Sequence, residues 1–338
     1  MKTLLGCLFI ILLGNSVSAA VKWPKVSLFL RMDAAKYFSN DKTKLLGNGK
    51  ELKYEIPYIR LNMKGDIGHN MLLHLKYRLN DTLAKEANGD KSGKGLNIAY
   101  IDKKITPNFK LKIGKQFLLH GGWEGTLSSK EWYSSSVNNF VMFGVGIGAF
   151  YKIAGQNFIF QTLNNRNDLT NQSTPLYGFN WSSSFFGEMI NPIISYHVEP
   201  FENNNTTITE NGNKTYIAIG NRLKIADFFV DVDYRINKSD GTIVNGKSSE
   251  NKGFVARVSY QKGLWRPAIK YAKIKEETLN TGVYSGDDID YHAVIEYFPT
   301  GNPNFRYHLA YIMSEDHLQK NSTVVKNSSV KLGIAGIF

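Results

Sequence analysis

The chain has almost no cysteine. Of its 338 residues only Cys7 is one, and it lies in the first apolar stretch. That excludes an intrachain disulfide framework, a thiolate metal centre and a cysteine nucleophile from the rest of the chain. Proline is scarce, at 9 residues, so the chain is not a proline-rich linker protein. Uninterrupted apolar runs are also missing. None beyond the N-terminus approaches the ~18 residues a transmembrane helix needs. Acidic residues are fewer than basic ones, 29 against 41, for a net charge of +12. Such an excess suits anionic partners, and its placement must decide which. The seven histidines show no ligand spacing, so no metal and no cofactor is expected.

What is present is aromatic and glycine-rich: 18 Tyr, 20 Phe, 5 Trp and 30 Gly. Residues 1–19 read as a secretory signal peptide. Lys2 precedes the apolar run Leu4 to Leu13, and Val17 and Ala19 give a small-residue exit. Residues 20–338 then form one unit with no composition break.

That unit alternates. Val26, Leu28, Leu30, Met32 and Ala34 share one strand face, with Arg31 and Asp33 on the other. Ile59, Leu61 and Met63 oppose Arg60, Asn62 and Lys64. The last stretch places Val330, Leu332, Ile334 and Phe338 opposite Lys331. Sixteen such segments of about 8–13 residues can be marked, and a tilted strand needs ~9–11 to cross a bilayer. Short turns, such as Gly68–Asn70 and Lys224–Ala226, alternate with polar connections near 38–52, 81–95, 118–138, 164–175, 199–213, 237–251, 275–287 and 314–324. The expected fold is all-β: a transmembrane antiparallel up-and-down β-barrel of about 16 strands, with short periplasmic turns and long extracellular loops. An apolar face all round with charge inside is what lipid outside and water inside require. A soluble sandwich or propeller would alternate too, but without the asymmetry between turns.

The face opposite the apolar one supplies the candidate pore lining: Arg31, Arg60, Lys64, Lys76, Arg78, Arg235, Arg257, Arg266, Lys270 and Arg306. Cations outnumber the acids there, which favours anions in a low-dielectric wall. The connection Leu118–Asn138 stands apart. It opens on His120-Gly121-Gly122 and carries Trp123, Glu124, Lys130, Glu131 and Trp132. These five are candidate constriction residues if the loop folds inward. The stretch Gly89–Gly95 fails as a phosphate loop in spacing and context. Asp287, Asp288, Asp290 and His292 are the residues a rim hydrolase would use, and they read more simply as a solvated strand start. No basic strip suits nucleic acid.

With short turns, a long third loop and a terminal Phe338, the chain resembles a Gram-negative outer-membrane porin. Gly114-Lys115-Gln116-Phe117 and Tyr297–Tyr307 are similar to segments of the phosphate-selective O/P-type porins. The resemblance implies a water-filled channel for passive diffusion of small hydrophilic solutes, with a mild anion preference, and no enzyme. It implies a homotrimer in the bacterial cell outer membrane, in contact with lipid and lipopolysaccharide. It also implies recognition of Phe338 by the barrel-assembly machinery. An adhesive barrel binding partners through its loops is the alternative.

Overall fold

The structure is a computed structural model. It describes residues 24–40, 50–79, 95–126, 143–164, 175–205, 208–241, 249–278, 283–299, 301–302, 304–317 and 324–338. The expected signal peptide lies outside them.

Two strands begin the wall: β1 (Lys25–Ser39) and β2 (Lys50–Gly68). Six shorter ones follow: β3 (Met71–Arg78), β4 (Leu96–Lys104), β5 (Phe109–Phe117), β6 (Phe143–Ile153), β7 (Gln156–Leu163) and β8 (Leu176–Ser182). Eight taller ones complete it: β9 (Ile190–Asn205), β10 (Ile208–Ile225), β11 (Phe228–Gly241), β12 (Ser249–Tyr260), β13 (Trp265–Thr278), β14 (Val283–Tyr297), β15 (Phe305–His317) and β16 (Val325–Ile337). Each pairs antiparallel with its sequence neighbours, and β16 closes onto β1. Closure removes every sheet edge, which a bilayer demands because it offers no water to unpaired amides. The seam runs from Phe29 opposite Ile337 to Ser39 opposite Asn327. Phe338 finishes it: its amide donates to Leu28 O (2.9 Å), and the Leu28 amide donates to Phe338 O (2.8 Å).

The outer face is apolar and uncovered within the protein. Ile269 is 61 % exposed and Leu332 59 %. Exposure of that kind along a whole wall fits lipid, not water. At the short-turn end, aromatic residues form a girdle. Trp265 stacks on Tyr297 with centroids 4.4 Å apart, and Phe228 meets Tyr260 at 5.0 Å. The register between β1 and β2 shifts between Arg31 and Asp33, opposite Ile56 and Pro57. Proline has no amide to give to a ladder, so the irregularity falls where it costs least.

The strand count and the alternation agree with the sequence reading. Three polar connections do not. Stretches 199–213, 237–251 and 275–287 are largely ladder. β9 pairs with β10 as far as Asn205 opposite Ile208, and β11 and β12 pair out to Ser239 opposite Ser249. These strands run on beyond the membrane. In them Asn, Lys and Ser replace the apolar half of the alternation in sequence.

Candidate pore and its inward loop

The first described part of the β5–β6 connection turns into the barrel. Leu118 is buried with Leu163 and Leu176 in an apolar cluster. Leu119 N–H donates to Gln161 Oε1 (3.0 Å) and Gly121 N–H to Ser195 Oγ (3.0 Å). His120 and His197 bring their Nδ1 atoms to 3.1 Å, and the Tyr216 ring stands edge-on to His120. One nitrogen must then donate and the other accept, so the accepting ring cannot take a second proton without breaking the contact. Burial, then His197 and Arg235, pulls the His120 imidazole well below its usual value.

Gly121 and Gly122 allow the loop to lie this close to the wall. Gly121 has φ +97° and its missing side chain would sit 3.1 Å from the Arg235 guanidinium. A Cβ on Gly122 would fall on the Asp233 carboxylate. Gly220, on β10 beneath them, leaves the same space from the wall side. Asp233 then caps the short helix α1 (Trp123–Thr126): Trp123 N–H donates to its Oδ1 (2.8 Å) and Glu124 N–H to its Oδ2 (2.7 Å).

The side chains of α1 lock onto the same wall. Trp123 Nε1–H donates to Asn191 O (2.7 Å), and the Arg222 guanidinium stacks 4.1 Å from its ring. Glu124 pairs with Lys270 (2.9 Å) and lies 3.7 Å from Arg235, which is also 3.7 Å from Asp233. Beside them Asp231 holds Arg222 through two bonds (2.6 and 2.9 Å) and Arg257 at 2.8 Å. Every acid here faces a cation, as buried charge requires.

The candidate residues therefore divide. Arg235, Arg257 and Lys270 face inward but are sealed, each under 5 % exposed, beneath the loop that carries Trp123 and Glu124. Arg31 is buried against Asp33 (2.8 Å), which also holds His308 (2.9 Å). Arg306 pairs with Glu296 (2.8 Å), and Lys331 with Glu55 (3.4 Å). Arg266 stays partly open, stacked 4.2 Å from Phe298. Lys130, Glu131 and Trp132 lie outside the described residues.

Arg60, Lys64, Lys76 and Arg78 form a different wall. It stands roughly half a turn of the barrel from β11. The inward faces of β2 from Tyr58 to β5 carry these four with Lys104, Lys110 and Lys112, against Asp66 and Asp102. Inward aromatic rings lie among them, which the sequence reading missed. Arg60 and Arg78 stand 5.4 and 4.7 Å from the Tyr58 ring. Lys112 lies 4.2 Å from the Tyr100 ring and 4.5 Å from that of Phe150. His74 bridges Tyr100 (2.7 Å) and Asn62 (2.7 Å). Their signal was a single aromatic on the charged side of an otherwise clean alternation. Asp290 and His292 are buried on the inner face, whereas Asp287 points outward, so these acids and base do not form one rim cluster.

A closed sixteen-stranded antiparallel barrel has known counterparts. The family model for phosphate-selective porins O and P matches residues 30–189. The fold is that of the outer-membrane porins. The match includes Gly114–Phe117 and leaves out Tyr297–Tyr307. Among solved structures, the outer-membrane channel DcaP of Acinetobacter baumannii is 13 % identical, with a TM-score of 0.70 over 96 % of this chain and 99 % of that one. An anion-selective porin from Comamonas acidovorans is 10 % identical, with a TM-score of 0.67 over 94 % and 100 %. OmpT of Vibrio cholerae in a trimer form is 13 % identical, with a TM-score of 0.64 over 94 % and 100 %. No curated protein matches the sequence. At such identities the solved porins share the fold, and the choice of solute rests on this chain's own residues.

Proposed function

We propose that the chain is a passive diffusion channel of the outer membrane for small hydrophilic solutes, with a preference for anions, and not an enzyme. One observation carries the preference. The wall bearing the inward loop is balanced, acid against cation, whereas the wall from Tyr58 to Lys112 is basic and accessible. Lys64 is exposed, and Arg60, Lys76 and Arg78 are partly so. Solutes pass between the two, and the wall's excess of cations over Asp66 and Asp102 favours anions. Glu124 belongs to the loop's anchorage, and the loop narrows the path.

The outward residues of the short strands β6 to β8, among them Ile147, Phe160, Tyr177 and Phe179, form a low apolar wall with no charge. That wall suits contact with further copies of the chain, and we propose a trimer built on it. The last strand, ending on Phe338, is the segment we propose for recognition by the assembly machinery. The preference is tested by Arg60→Gln/Arg78→Gln in planar bilayers. The reading expects the anion preference to fall while the channel persists. A variant with unchanged selectivity would remove this wall from the account.

A further inference from the structure

A cavity of about 600 Å³ lies at the short-turn end of the barrel, where the basic wall meets the low strands β6 to β8. It runs from the turn residues Asn70 and Thr106 to Lys110 and Phe150 on the inner face. Small-molecule sites span ~300–1,000 Å³, so the space admits one small solute.

Three lysines and two acids share it. Lys104 and Lys110 stand directly opposite each other on the inner face. Like charges in that register weaken a sheet. Asp102 offsets part of the repulsion, 3.8 Å from Lys110. Lys152 lines the cavity from β6 and Asp66 from β2. Both are exposed, as is Lys104, so a solute in the channel can reach them.

The remaining surface is a ring, an apolar neighbour and neutral polar groups. Phe150 is directly opposite Lys110 on one side and Ile159 on the other. Its ring folds over Gly148, where a Cβ would lie 2.8 Å from Cε2. Lys110 and Lys112, both of β5, stand 4.8 and 4.5 Å from the ring centre. Next along the wall, Asn157 donates to Ser182 Oγ at 3.4 Å, and both residues line the cavity.

We infer that this cavity binds a sugar acid: a hydroxylated ring carrying one carboxylate. The lysines take the carboxylate. Phe150 and Ile159 take the apolar C–H face of the sugar. Asp66, Asp102, Asn157 and Ser182 take its hydroxyls. The two acids decide the class. Beside the lysines they repel a simple inorganic anion, whereas to a sugar they are hydrogen-bond acceptors. A solute without hydroxyls would strip their water and leave them unpaired, and a mismatch of that kind discriminates strongly. Three lysines against two carboxylates also balance one negative charge rather than two. The inference rests on the anion-preferring channel proposed above and names a solute class for it.

The test is calorimetric titration of the full barrel in detergent with glucuronate, glucose, acetate and glucose 6-phosphate. Glucuronate is expected to bind at least tenfold more tightly than glucose or acetate, and more tightly than glucose 6-phosphate. Equal affinity for glucuronate and acetate, equal affinity for glucuronate and glucose, or no binding of glucuronate would overturn the inference. Tighter binding of glucose 6-phosphate would overturn the carboxylate assignment. Two variants read the roles. Lys104→Gln/Lys152→Gln should weaken glucuronate at least fivefold. Asp102→Ala raises the positive charge of the cavity, so attraction alone predicts tighter glucuronate; the hydroxyl role predicts weaker binding, and a tighter result would overturn it. The comparison of the four solutes on wild type decides the matter if a variant assembles poorly. Failure here is distinct from failure of the channel reading. An anion-selective channel that does not prefer glucuronate removes only this site, whereas a cation-selective reversal potential removes the anion preference and leaves the titrations standing.

Discussion

Gly122→Ala is the sharpest perturbation of the inward loop. The added methyl would occupy the place of the Asp233 carboxylate. Either Asp233 swings away or the loop lifts, and both break the cap on α1. The cap consists of two amide bonds to a carboxylate, at 2.8 and 2.7 Å. Hydrogen bonds to charged groups contribute about 1.5–3 kcal/mol each. The gross loss is then about 3–6 kcal/mol, and rehydration of the released carboxylate returns part of it. A net loss of about 3 kcal/mol lowers the ratio of docked to undocked loop roughly a hundredfold. The barrel ladder does not pass through this loop, so the variant should assemble and keep its heat-modifiable migration. Single-channel recording should show larger or noisier conductance, and limited proteolysis should cut the loop sooner. Wild-type conductance together with wild-type protection would refute the idea that the Asp233 cap holds the loop.

Three further outcomes are expected. Glu124→Gln removes the carboxylate 2.9 Å from Lys270 and should move the reversal potential toward anions; breaking a buried pair can also cost about 3–5 kcal/mol, so thermal stability should fall with it. Docking of the loop should weaken as pH drops below about 6.5, because an exposed His120 gains a proton that the docked one, facing His197, Arg235 and Tyr216, resists. Loop protection from protease should therefore decline between pH 8 and pH 5, and His120→Phe should flatten that decline. Deleting Phe338 removes the two closing bonds to Leu28 and should reduce assembled protein more than it changes the conductance of barrels that form.

The barrel was legible because lipid and water each impose one chemistry on one face. Val26, Leu28 and Leu30 against Arg31 and Asp33 could be read off without knowing any partner strand. The reading failed where that constraint ends. Ile208–Ile225 begins in Thr209, Glu210 and Asn211, polar on both faces, and so looks like a loop although it is ladder. The site was legible in half. His120-Gly121-Gly122 with Trp123 and Glu124 marked a loop built for close approach. Its partners are remote in sequence: Ser195 lies 74 residues from Gly121, Asp233 109 from Glu124, and Lys270 146 from Glu124. No local pattern brings such residues together. Nor could composition show that Arg235 and Lys270 hold the loop while Arg60, Lys64, Lys76 and Arg78 stand on the opposite inner wall.

Anion preference set by that basic wall is the central claim, and a reversal potential across a planar bilayer in a salt gradient tests it most directly. The account predicts, at neutral pH, a potential of the sign that marks anion permeation. A potential of the cation-selective sign would contradict it.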